Sequence, residues 1–272
     1  MVTGELALAA TIVAEEGSRE SDMGPIVVET FVVALIFACI FLFGNHLQIH
    51  RQRWRRAGLS LAAGVSVAYV FVKLLPELSE AAESFVEATA DRSPWMADYR
   101  VHLAAMAGFV VFYGLEHLVA RSRRSQGDLV AFRLQIGGFA AYVALVSYLL
   151  IDGTAQVDMS IALYAVAMGL HLLGIDHAML REHDKPYLRS GRHLLAAAAL
   201  AGWGIGMLVE LPTPIVTLLA GVISGGVIIN AMVMELPADR EGRFWPFLIG
   251  TLIYAAILLL AIDRGRSGGA SG

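Results

Sequence analysis

The chain has 272 residues, 57% of them apolar and only 16% charged, with a formal net charge of −4. That composition excludes an ordinary soluble domain, and the weak acidity gives no support to nucleic-acid binding. The lone Cys39 excludes an internal disulfide and reads as a packed residue of an apolar helix.

Apolar stretches of about 20 residues recur, each long enough to cross a hydrocarbon core roughly 30 Å thick. Eight are predicted, at 25–46, 58–76, 101–120, 130–152, 158–180, 194–211, 213–236 and 245–262. Residues 1–24 are expected to form an extracytoplasmic tail, without the basic n-region of a signal peptide. Residues 25–262 then make one all-α polytopic transmembrane domain, and 263–272 a flexible tail.

In chain order, the first span carries Glu29 near its outer end and leads into a basic loop with Arg51, Arg53, Arg55 and Arg56. The second ends in Lys73-Leu74-Leu75-Pro76-Glu77, followed by an acidic loop with Glu80, Glu83, Glu87 and Asp91. Lys73 either snorkels or pairs with Glu77 one turn on, or lines a pore. Glu116 and His117 stand near the inner end of the third span, before Arg121, Arg123 and Arg124. The fourth ends in Ser147-Tyr148-Leu149-Leu150-Ile151-Asp152-Gly153.

The fifth span holds His171, Asp176 and His177. His171 lies roughly 20 Å from the outer boundary at about 1.5 Å per residue, too deep for a short imidazole to reach water. It is either a core histidine bonded to a neighbour or a ligand or proton carrier, since an ionisable group at that depth costs about 2.5–3.5 kcal/mol or more. Asp176 is about 140° around a regular helix from His171, on another face. Arg181, Lys185, Arg189 and Arg192 follow, and the sixth span, 194–209, has no ionisable residue. The seventh runs through Ser224-Gly225-Gly226 and Asn230 to Glu235-Leu236-Pro237, with Glu235 in a capping or a gating role, and Arg240 and Arg243 come next.

All four basic loops fall on one side under an eight-span count, and basic loops stay cytoplasmic. The sequence therefore predicts a protein of the plasma membrane with both termini outside. No nucleotide-binding glycine pattern and no serine elbow is present, so an enzyme is not expected.

The spans and their polar residues resemble the ZIP (zinc- and iron-regulated transporter-like) metal permeases. The likeness rests on the second-span Lys73-x-x-Pro76-Glu77, on Ala220-Gly221 and Ser224-Gly225-Gly226 leading to Glu235-Leu236-Pro237, on Asp152-Gly153, and on His171. Tyr148 and Leu149 stand where the fourth-helix motif has His and Asn, and Leu172 and Ile175 replace two fifth-helix positions. The resemblance implies a ZIP-like bundle that moves zinc, iron or a similar divalent ion through a reduced site of Asp152, His171 and Asp176. Lys73, Glu77, Tyr148, His177 and Glu235 are the implied pore or gating residues. The alternative is a ZIP-like membrane protein that transports nothing and acts as a binding, sensing or scaffold component. The expected partners are the bilayer and the metal ion, with a homodimer as one admissible assembly.

Overall fold

In the computed structural model the described residues are 26–44, 52–89, 99–125, 127–151, 161–231 and 243–269. They are almost all helical, with no strand among them. A bilayer offers its interior no hydrogen bonds, so apolar spans must satisfy their backbone internally, as helices do.

Helix α1 spans Ile26–Phe43. Then come α2 (Gln52–Tyr69), a π-helical turn at Val70–Leu74, and α3 (Leu75–Thr89). They are followed by α4 (Arg100–Ser125), α5 (Asp128–Leu149) and α6 (Ile161–Pro186). A second π turn, Tyr187–Gly191, leads into α7 (Arg192–Leu208), and α8 (Thr213–Asn230) and α9 (Phe244–Gly269) complete the chain. Among the described residues, seven stretches are long and apolar enough to cross a membrane, one of them the 48-residue run Ile161–Leu208.

Both π turns adjoin a proline. Pro76 lacks an N–H and its ring crowds the carbonyl four residues back. The turn before it admits one extra residue, and the Leu75 N–H reaches Val70 O instead. A second π turn follows Pro186, with the Arg192 N–H bonded to Tyr187 O. Just upstream, Asp184 leaves helical geometry altogether (φ 25°, ψ −97°).

Two segments differ from the sequence reading. The acidic stretch after the second span is helix, not loop, because Leu78, Ala82 and Phe85 recur at helical spacing and pack on Val101 and Ala105 of α4. The C-terminal tail is helical as far as Gly269. Cys39 is exposed on the outer face of α1, where lipid would meet it, and is not packed in the core.

Helix pairs meet at small residues, as is usual where no hydrophobic force drives helices together in lipid. Gly221 and Gly225 of α8 lie against the Val101 and Ala105 carbonyls of α4. Gly202 and Gly206 of α7 lie against the Ala144 and Tyr148 carbonyls of α5. Numbering rises together in both pairs, so each is parallel. Trp203, near the end of α7, donates to Thr30 Oγ1 at the start of α1 (3.2 Å). Asp176 of α6 meets Gly44, just past the end of α1, and Gly169 meets Ile40. Thus α6 runs with α1 and α7 runs against it, the chain turning back near Asp184. Between them lies the densest core, with Phe37, Phe41, Phe139, Leu172, Ile175, Met179 and Leu195 almost wholly buried.

A methyl group at Gly225 would strike the Ala105 carbonyl, whereas one at Gly204 meets nothing within 4 Å. Gly225→Ala should therefore lose roughly 1–3 kcal/mol through overpacking. Gly204→Ala should be neutral or stabilising by up to about 1 kcal/mol through helix propensity. Equilibrium unfolding in mixed micelles compares the two, and equal behaviour would contradict the close contact.

Candidate functional site

The π turn before Pro76 sets the first polar group. It places Lys73 inside the bundle, with its ammonium 2.7 Å from Glu77 Oε1 one turn on. The Lys73 side chain is only 4% exposed and that of Glu77 20%. A charge at such burial survives when a countercharge neutralises it and further polar atoms solvate it.

Glu77 also lines a partly open cavity of about 100 Å³ between α2, α3, α4, α5, α6 and α8. Tyr69, Tyr164, Thr217 and Ser224 supply its other polar atoms, and Leu149, Met168 and Val227 are among its apolar walls. The two tyrosine rings meet edge to face, with centroids 6.4 Å apart.

Deeper along α6, His171 is 2% exposed. Its Nε2 shares a hydrogen bond with the Tyr142 hydroxyl of α5 at 2.9 Å. Asp176, 3% exposed, accepts a 2.5 Å hydrogen bond from the Tyr187 hydroxyl in the second π turn. His171 and Asp176 thus turn to different tyrosines, as the angle between them on the helix requires. Among the described residues, no three His, Cys, Asp or Glu side chains gather closely enough to hold a metal ion. Asp152 and Glu235 lie outside the described residues.

A third polar cluster ties three helices at the basic end of the bundle. The buried His183 donates from Nε2 to Gln135 Oε1 at 2.6 Å, and Gln135 donates to Glu116 Oε1 at 3.3 Å. Arg123 reaches Glu182 at 3.3 Å beside them. Glu116, read from sequence as an interfacial group, is half-buried and bonded within this network. Tyr148 is buried and donates to the Val209 carbonyl at 3.1 Å, tying α5 to the end of α7. His177 is half-buried on α6. Asn230 is buried, and its amide nitrogen has no hydrogen-bond partner among the described residues.

Sequence reasoning missed Tyr69, Tyr142, Tyr164, Tyr187, Gln135 and His183. Gln135 carried a usable signal, since an amide inside an apolar helix needs a partner. The tyrosines carried little, because a phenol in a membrane helix sits as readily at an interface as in a core.

No protein-family model matches the chain, and no curated protein is similar to it. Its residues alone carry the functional reading.

Removing one member of a buried ion pair strands the other. Lys73→Met should destabilise the protein by about 3 kcal/mol, and adding Glu77→Gln should recover most of that loss. Unfolding of the two variants and the wild type checks this, and an additive double variant would contradict a buried pair.

Proposed function

We propose that this chain is a ZIP-like membrane protein of eight crossings that serves as a binding, sensing or scaffold component and does not move divalent metal. The observation that carries this is the Lys73–Glu77 pair, closed at 2.7 Å beside the bundle's cavity. The ammonium already balances the Glu77 charge, so an entering dication would have to displace it to gain the carboxylate as a ligand. Recruiting His171 and Asp176 to a common ion would break their hydrogen bonds to Tyr142 and Tyr187.

One observation favours the second reading, a permease for zinc or iron moving towards the cytoplasm. Glu77 opens onto a cavity walled by six helices, and a carboxylate there could meet an entering cation. Flux decides between the two. Proteoliposomes holding the wild type should take up no zinc, iron, manganese or cadmium, while Lys73→His removes most of the competing charge and adds a nitrogen ligand. Saturable wild-type uptake that His171→Ala abolishes would establish the permease and overturn this proposal.

Eight crossings follow from reading Ile161–Leu208 as two spans. Straight, its 48 residues would reach about 72 Å at about 1.5 Å each, more than twice a hydrocarbon core. A single crossing there would also make α4 and α8 antiparallel, whereas their contacts run parallel. With eight, the loops after α1, α4, α6 and α8 hold most of the basic residues, against Arg19, Arg92, Arg100, Arg264 and Arg266 on the other side. We therefore place those loops in the cytoplasm of a plasma-membrane protein, with both termini outside. In a Cys39→Ala background, a cysteine at Gly272 should react with an impermeant maleimide on intact cells. One at Arg124 should react only after permeabilisation, and the reverse pattern would invert the topology.

A further inference from the structure

The turn between α6 and α7, residues 181–193, carries cations that the protein does not itself neutralise. Arg181, Lys185 and Arg189 are exposed, and none has a hydrogen bond or ion pair to another described residue. Arg124 at the end of α4 and Arg133 in the second turn of α5 are exposed and unpaired in the same sense. The carboxylates of these segments are mostly taken. Glu182 and Asp128 both turn to Arg123, at 3.3 and 3.8 Å, and Glu116 accepts from Gln135. Asp184 is exposed and has no partner among the described residues. Cations therefore outnumber carboxylates among the free charges at this end of the bundle.

The backbone that carries these cations is held from several sides. Phe132 of α5 meets the His183 ring with centroids 5.1 Å apart, and Gly191 lies against the same Phe132 ring. His183 is bonded to Gln135 and Tyr187 to Asp176. Between them Asp184 keeps a φ of 25°, a strained conformation that persists only where the surroundings over-determine it. The turn is thus shaped before any ligand arrives, which lowers the ordering cost of binding. The same contacts lay it over the first turns of α5 and bring Arg133 to its level.

Exposed apolar side chains adjoin the cations and narrow the partner. Leu134 follows Arg133, and Leu194 comes five residues after Arg189; both are exposed, as is Leu129. A soluble polyanion would leave these leucines in water. A bilayer takes them into hydrocarbon and sets the cations at the level of its phosphates. Guanidinium groups match phosphate oxygens two at a time. We propose that the turn between α6 and α7, with the adjoining start of α5, binds the phosphate of an anionic phospholipid. Arg133, Arg181, Lys185 and Arg189 take the headgroup, and Leu134 and Leu194 meet the acyl chains. This goes beyond the role proposed above and rests only on the chain's lying in a bilayer, so metal uptake does not enter its test.

Native mass spectrometry of the full chain in neutral detergent provides the test, with dioctanoyl phosphatidylglycerol and dioctanoyl phosphatidylcholine as probes. The wild type should hold the anionic lipid about tenfold more tightly than the zwitterionic one. Arg133→Gln, Lys185→Gln and Arg189→Gln together should remove that preference. Arg53→Gln, Arg55→Gln and Arg56→Gln take the same charge from the start of α2 and should leave it in place. Equal losses in the two triple variants mean retention by net charge alone and overturn the proposal. Equal retention of the two lipids by the wild type, a comparison that needs no variant, also overturns it. So does displacement of the lipid by an equal concentration of glycerol 3-phosphate, which would make the ligand a soluble phosphate.

Discussion

A polar or charged group inside a bilayer must find its partner within the protein, and the rest of this structure depends on that constraint. It selects helices for the backbone. It also selects the partners of the side chains: Lys73 with Glu77, His171 with Tyr142, Asp176 with Tyr187, and His183 with Gln135. Each of the last three pairs joins different elements, so satisfying the polar groups also fixes how the helices dock. The bonds of α6 to α5 and to the second π turn are the clearest instance.

Two of these pairs stand beside a proline. Pro76 and Pro186 both adjoin a π turn, which rotates the residues beyond it relative to a regular helix. The first turn sets Lys73 against Glu77. The second brings Tyr187 back onto Asp176, 11 residues earlier, across the point where the backbone leaves helical geometry at Asp184. The same two features therefore shape the chain's path and occupy its most buried charges. That is the physical basis for reading Lys73, Glu77 and Asp176 as groups that already have partners within the bundle.

Much of the fold was legible because lipid imposes a simple length and polarity rule. The apolar stretch at 25–46 became α1 at Ile26–Phe43, and the stretch at 130–152 became α5 at Asp128–Leu149. The rule gives no weight to charged stretches, so α3 was read as an acidic loop although Leu78, Ala82 and Phe85 repeat at helical spacing. The site was less legible. Lys73 and Glu77 stood one turn apart in the sequence and pair in the structure. His171 and Asp176 stood on different faces and take different partners. Which tyrosine would meet each could not be read, because Tyr142 lies 29 residues from His171 and only the docking of α5 on α6 joins them.

The central claim is that Lys73, Glu77, His171 and Asp176 take partners within the bundle, and that no set of three ligands for a divalent ion gathers among the described residues. Anomalous scattering at the zinc edge, from crystals of the wild type grown with excess zinc, tests it most directly. The account predicts no zinc inside the bundle. A zinc peak between Glu77, His171 or Asp176 and the helices facing them would contradict it.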